Sequence, residues 1–523
     1  MALTRRSGPR QGPCGPRDLG HYGTMGREGI TRRHLLAMLS AGCAMGAGPV
    51  LAAAPARSVM PVLRRAPGGW RDIVAIIEDE ALPGKVSVAA ADMTTRAPVA
   101  TYAPLRRLPP ASVAKIVTAA YALETLGPDH RFATRILARG KVLDGTLHGD
   151  LALVGGGDPT LDSDALGDLA AALGASGITA VAGRFLVDAR ALPAVDRIDR
   201  SQPDHLAYNP AVAGLNLNFN RVFLEWQRAG HEVELTLDAR ARRFRPQVHG
   251  LRVRASSRNE PIFAYEQGDG FEAWSVADGA LGRKGGRWLP VRRPVRYAAE
   301  VFRTLASHEG IALPEPIEAP ADGTWHEVCR HDSRALLEIV RGMLKFSTNL
   351  TAEVIGLAAT QARGHQPRDL ASSAHVMATW AKTAMGARRL SLVDHSGLGP
   401  DSRVNAQDLL SALLSPVGRK WLPGTLKDMH IALAHGDSRT RVLAKTGTLN
   451  FVSNLAGYVT QGDGREGTAF VILSADLPRR ARIPRAQRER PPGQRRWLSR
   501  AHGLQRELVD CLAQRRAQAQ SVR

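Results

Sequence analysis

The sequence predicts an α/β (α+β) fold, one mixed domain interrupted by a large, mostly β inserted region of one or two small domains. Strand patterns stand near both ends of the chain with helical patterns between them. A long middle stretch changes character, alternating short β-like runs with Gly/Asp turns. Three short polar motifs fall on the outer parts and none on the middle.

The elements follow in chain order. Thr31-Arg32-Arg33-His34-Leu35-Leu36 opens an apolar stretch that runs to about Leu51 and ends in Ala52-Ala53-Ala54. A basic start, an apolar middle and a small-residue end make residues 1–54 a signal peptide cleaved near Ala54, from Met1 or Met25, with the periplasm as destination. Paired arginines before a Gly/Ala-rich core fit a twin-arginine signal; an ordinary secretory signal holding two Arg is the alternative. A bilayer span needs ~20 apolar residues, so no transmembrane anchor is expected in the mature chain. Residues 55–68 form a Pro/Arg-rich linker.

The main domain is expected in two parts, 69–135 and 325–523, with the insert at 136–324. In the first part Val86–Ala91 and Val99–Tyr102 pattern as a hairpin, and Ala111–Leu126 carries helical spacing that Gly127-Pro128 stops. Leu151–Val154, a helix over Ala165–Leu173 and Gly183–Val187 open the insert, whose 231–300 stretch is mostly β. After Ser333 two helical stripes follow, then strands over Arg441–Thr448, Val452–Val459 and Phe470–Leu473, and an amphipathic helix over Trp497–Leu512.

The chain has 523 residues and a formal net charge of +21, a field that attracts polyanions. The basic residues are nearly all Arg and spread along the chain, with neither zinc-finger spacing nor an aromatic RNA-binding motif, so nucleic acid is not an expected partner. Their densest run, 479–496, is Pro-rich and patterns as a solvated linker. Cys14 and Cys43 fall in the leader; Cys329 and Cys511 can pair after export or remain two thiols.

Three motifs carry chemistry. Ser112-Val113-Ala114-Lys115 puts a serine and a lysine on one face at a helix start, where the helix dipole favours an incipient alkoxide. Lysine can be the base once burial or another cation lowers its pKa; arginine, which dominates this chain, cannot. Ser347-Thr348-Asn349 lies between two helical stripes, and Lys445-Thr446-Gly447 with Thr448 lies on a strand, where Gly447 admits a close backbone. Singly each is weak, since a capping Ser, a loop polar cluster or a strand end explains it equally well.

Competing motifs fail. His326 and His331 are five apart where a helical zinc pair needs four, and Asp394-His395-Ser396 are neighbours where a triad gathers from separate segments. Gly155–Gly157 lacks the third glycine and the helix of a dinucleotide loop, and no Gly-x-Ser-x-Gly elbow occurs.

The order Ser-x-x-Lys, Ser-x-Asn, Lys-Thr-Gly is the signature of penicillin-binding proteins and serine β-lactamases. The chain resembles the class C low-molecular-mass penicillin-binding proteins, D-alanyl-D-alanine carboxypeptidases/endopeptidases, over roughly residues 70–475. The resemblance extends to Gly156-Gly157-Asp158-Pro159-Thr160-Leu161, Tyr208-Asn209-Pro210, Leu215–Asn220, Asp394-His395-Ser396-Gly397-Leu398 and Lys445-Thr446-Gly447-Thr448-Leu449. Thr348 departs from the Asp of many relatives.

The resemblance implies the penicillin-binding-protein/serine β-lactamase-like transpeptidase fold. It implies Ser112 as nucleophile, Lys115 as base, Ser347 and Asn349 as proton relay and orienting amide, and the N–H groups of Ser112 and Thr448 as oxyanion hole. Lys445, Thr446, Gly447 and Thr448 would bind substrate. Peptidoglycan peptides would be the substrate, β-lactams the inhibitors, and no metal or cofactor is expected. A β-lactamase or esterase on the same fold, or an inactive wall-binding protein, are the alternatives.

Overall fold

The computed structural model describes residues 72–521, apart from 231, 269–270, 432, 434–439 and 462–465. The expected signal peptide and linker lie outside the described residues.

The central sheet unites both ends of the described chain. Its six strands run in the order Lys427–Asp428, Thr440–Leu449, Val452–Gln461, Gly467–Ala475, Lys85–Asp92, Pro98–Tyr102. Lys85–Asp92 pairs antiparallel with both the hairpin strand Pro98–Tyr102 and the late strand Gly467–Ala475, with Val88 opposite Ile472. Alternate residues enter different cores. Val471 and Leu473 join Val113, Ile116 and Tyr121 of the helical layer, while Phe470 and Ile472 join Ile73, Ile76, Trp497 and Leu504 on the opposite face. With both faces covered the late strands read as apolar runs rather than alternation. Helix Gln494–Ser521 covers that second face, as the amphipathic Trp497–Leu512 stretch predicts.

The insert is framed by two strands that pair with each other. Ala133–Leu143 lies antiparallel to His326–Asp332, with Ala133 opposite Asp332, so the chain enters and leaves on adjacent strands. Divisions at 136 and 324 therefore cut into the first strand and leave its partner outside. The same sheet holds Thr146–Gly155, Phe185–Asp188 and Pro316–Glu318, with Ala180–Val181 beside Thr146–Gly155; two three-stranded sheets follow. These sheets share one apolar core separate from the two that flank the central sheet.

Two expectations need correction. The stretch read as mostly β to residue 300 ends in a helix, Pro294–His308. Pro294 presets the first helical φ, and Tyr297, Ala298, Val301, Phe302 and Leu305 bury one face. Interleaved Arg and Glu mask that stripe in the sequence. The basic 479–496 run is no solvated linker but a strap. Arg485 donates to Gln202 O (2.8 Å) and Asp204 (2.9 Å), Arg488 donates to Ser201 O, and Glu489 meets His205 at 2.7 Å. Guanidinium donors thus find carbonyl and carboxylate acceptors on the insert loop 199–205. No disulfide joins Cys329 and Cys511; Cys329 packs on the insert core and Cys511 in the terminal-helix core.

Candidate active site

Ser112 sits in a 3-10 turn, Ala111–Ala114, that continues as the helix Lys115–Leu126. Ala111 before it holds φ +47°, a left-handed conformation that a non-glycine residue rarely keeps without surrounding support. Here Asn454 supplies it, donating from Val452–Gln461 to Pro109 O (2.9 Å) and Pro110 O (2.8 Å). Gly447 explains its own identity. A Cβ there would come 2.8 Å from Pro110 O and 3.1 Å from Ser112 N, so only glycine lets the strand lie against the nucleophile turn.

Lys115 is fully buried, and its Nζ has three neighbours: Ser112 Oγ at 2.9 Å, Asn349 Oδ1 at 2.7 Å and Ser396 O at 2.9 Å. Burial lowers its pKa to about 7, Lys445 adds to the lowering, and Glu353 and Asp394 oppose it. The amine is thus available near neutral pH. A neutral amine has two N–H bonds and one lone pair. Asn349 Oδ1 and the Ser396 carbonyl can only accept, so they take both N–H bonds. The lone pair is left to Ser112, the only one of the three with a proton to give.

Ser347 closes helix Leu336–Phe346 at φ +60°. Lys445 Nζ donates to Ser347 Oγ (2.9 Å) and to Thr446 O (2.8 Å). Lys445 is buried, and burial lowers its pKa to about 8, with Lys427 next. Asn349 opens helix Asn349–Ala362, and its Nδ2 donates to Tyr208 O of the insert at 2.8 Å. The Thr348 side chain turns to Thr351 Oγ1 (2.8 Å) in that helix's own first turn, away from the Lys115 cluster.

Ser112, Ser347, Asn349 and Thr448 line one cleft of about 290 Å³, with Lys115, Lys445 and Gly447 buried around it. Thr446 is exposed on the same strand and is not among the lining residues. The motifs named from sequence therefore converge, except that Thr446 stands outside the cleft wall. Tyr208 and Ser396 fall in segments that carry the family resemblance, but nothing in the sequence shows that their carbonyls meet the site, and it gives no sign of Asn454 or the strap's Arg480 and Arg488, which also line the cleft or grip its parts. Two of these act through backbone carbonyls, which no side-chain pattern announces.

Over residues 70–490 the chain matches the D-Ala-D-Ala carboxypeptidase 3 (S13) family. It is 29% identical over 469 residues to a D-alanyl-D-alanine carboxypeptidase of Actinomadura sp., covering 82% of this chain and 84% of the relative. It is 26% identical over 382 residues to D-alanyl-D-alanine carboxypeptidase DacB of Haemophilus influenzae, covering 69% and 79%. The crystal structure of penicillin-binding protein 4 (dacB) from Haemophilus influenzae superposes with a TM-score of 0.66 at 22% identity, covering 78% of this chain and 93% of that one. The same protein complexed with a β-lactam gives 0.63 at 21% identity over the same shares. At these identities the superpositions establish the shared fold.

Proposed function

The chain belongs to the D-Ala-D-Ala carboxypeptidase 3 (S13) family, a family of serine peptidases, and from that premise we propose how its own residues divide the reaction. Ser112 Oγ attacks the carbonyl between two D-alanines of a peptidoglycan stem peptide or cross-link, and the Lys115 amine takes its proton. The N–H groups of Ser112 and Thr448 receive the oxyanion, a contribution worth ~100- to 1000-fold in related chemistry. Ser347 gives its hydroxyl proton to the leaving amine and takes one from Lys445, which donates to it, and Asn349 orients Lys115; on hydrolysis the proton lost by water restores Lys445 and Lys115 returns its proton to Ser112 Oγ. Water then hydrolyses the acyl-enzyme; a β-lactam acylates the same serine. The observation that carries this reading is a buried lysine, with a pKa of about 7, 2.9 Å from the serine.

Lys445 and Thr446 are assigned to the terminal carboxylate of the substrate, Thr446 because it stands on the same strand face as the cleft-lining Thr448, two residues on, and this assignment supplies the test. Purified enzyme should release D-alanine from an acyl-D-Ala-D-Ala peptide and lose most activity when that carboxylate is an amide. A charge-assisted hydrogen bond contributes ~1.5–3 kcal/mol, and about 1.4 kcal/mol is a factor of ten, so Thr446→Val should lose roughly ten- to a hundredfold in kcat/KM. The variant, already blind to the carboxylate, should lose little more on the amide. Multiplying penalties would make Thr446 structural; no D-alanine from the wild type would overturn the function itself.

Export to the periplasm through the twin-arginine route is the proposal for Arg32 and Arg33. Among the described residues no helix is long and apolar enough to cross a membrane. Replacing both arginines (Arg32→Lys with Arg33→Lys) should trap precursor in the cytoplasm. Normal export of that variant would point to the general secretory route.

A further inference from the structure

We propose that Glu353 is a positioning residue for the reaction: its carboxylate holds the N–H groups of His395 and Ser396, so that the Ser396 carbonyl takes one N–H of Lys115 and leaves the amine's lone pair on Ser112. The inference rests on the reading of Lys115 as base. Glu353 is fully buried, and its two oxygens accept from His395 N and Ser396 N, both at 2.9 Å. It lies four residues after Asn349 on the helix Asn349–Ala362, one turn along the same face. One helix therefore supplies both grips on Lys115, directly through Asn349 Oδ1 and, through the 394–399 loop, by way of Ser396 O.

The loop is pinned independently. Asp394 accepts from Gly397 N (2.7 Å) and Gly399 N (2.5 Å), and Thr118 donates to His395 O at 2.6 Å. What Glu353 adds is the anchoring of the two peptides that lead into Ser396, through His395 N and Ser396 N, while Asp394 holds the following peptide, the one that carries the Ser396 carbonyl, through Gly397 N; together they fix the backbone on both sides of that residue. Burying a carboxylate is costly unless its oxygens are hydrogen-bonded, and here each oxygen takes one backbone N–H, so an amide in its place would turn an N–H₂ donor on one of the two.

The charged groups around Lys115 come from several elements. They are Glu353 from its helix, Asp394 from the loop, and Lys445 from the strand Thr440–Leu449. Asp199 of the insert acts in turn on Asp394, and burial keeps His395 neutral by lowering its pKa to about 3. Glu353 raises the Lys115 pKa, and so does a carbonyl aimed at Nζ; both favour the ammonium that forms when the serine O–H bond breaks and the new N–H bond forms. In Glu353→Gln penicillin acylation should slow by tenfold or more at the pH optimum. Burial and Asp394 raise the pKa of Glu353 itself to about 8, against the His395 and Ser396 donors and Lys115; each of its oxygens nevertheless accepts a backbone N–H, as a carboxylate does, and loss of that charge in Glu353→Gln should move the acid limb of acylation to lower pH.

Glu353→Asp keeps the charge but withdraws it by one methylene. It should slow acylation while leaving the limb in place, and it decides the matter if the glutamine variant does not fold. Wild-type acylation in either variant overturns the proposal, as does slow acylation of Glu353→Gln with an unmoved limb, which would mean only support of the fold. If the wild type itself shows no acid limb near neutral pH, the reading of Lys115 as base falls instead.

Discussion

Ser112→Ala should take no label from a fluorescent penicillin that marks the wild type, and its release of D-alanine should fall by at least a thousandfold, roughly the loss seen when a serine nucleophile is removed from related machinery. The variant is a clean test because it deletes one hydroxyl from a turn whose shape depends on other groups. Asn454 holds the carbonyls of Pro109 and Pro110, and Gly447 lies against the backbone of the turn rather than the Ser112 side chain. The cleft, Lys115 and the N–H groups proposed for the oxyanion should therefore persist. Residual hydrolysis would report what those groups do without covalent catalysis. Three other hydroxyl-bearing residues, Tyr208, Ser347 and Thr448, line the same cleft. Equal labelling of variant and wild type would transfer the nucleophile's role to one of them, and mass spectrometry of the labelled peptide would say which.

The parts of this molecule that could be read from sequence are those in which side-chain periodicity does the folding. The hairpin Lys85–Asp92/Pro98–Tyr102 and the strand Thr440–Leu449 follow from apolar runs bounded by turn residues. The site motifs were legible because Ser, Lys and Asn meet there through side chains at fixed local spacing within each motif. What escaped has a different physical origin. Helix Pro294–His308 hides its apolar stripe among charged residues. The strap is invisible because an arginine in a Pro-rich run looks solvated until its acceptors are known, and those lie about 280 residues away in the insert loop. Ser396 belongs to a segment that resembles the family, yet its contribution is a carbonyl, set by Asp394 on its own peptide and by Glu353 and Thr118, both remote in sequence, on the peptide before it. Long-range backbone geometry leaves no mark at a single position.

Lys115→Met should acylate at least a thousandfold more slowly, and Lys115→Arg should do no better, because a guanidinium keeps its proton and cannot accept another. The arginine variant matters because it retains donors for Asn349 Oδ1 and Ser396 O; failure there isolates base chemistry from hydrogen bonding. Acylation by the wild type should rise with pH through about 7, since the rate follows the neutral amine. Lys445 lowers the Lys115 pKa, so Lys445→Gln should move that limb to higher pH, opposite to Glu353→Gln.

The same shift has a consequence for stability. With a folded pKa of about 7 and an ordinary value of 10.5, Lys115 binds more protons in the unfolded chain across that window. The wild type therefore gains stability as pH rises from about 7 to 10.5, by on the order of 4 kcal/mol at about 1.4 kcal/mol per pKa unit. Lys115→Met lacks this term, so the stability of the variant relative to wild type should decline over that range. Denaturant midpoints of the two proteins at pH 7 and pH 9.5 measure it; the double difference cancels the shared titrating groups that Lys115 does not influence and retains Glu353 and Asp394, whose pKa values Lys115 lowers. A difference that does not change with pH would mean that Lys115 is protonated in the folded enzyme at neutral pH, and another group would have to take the proton from Ser112.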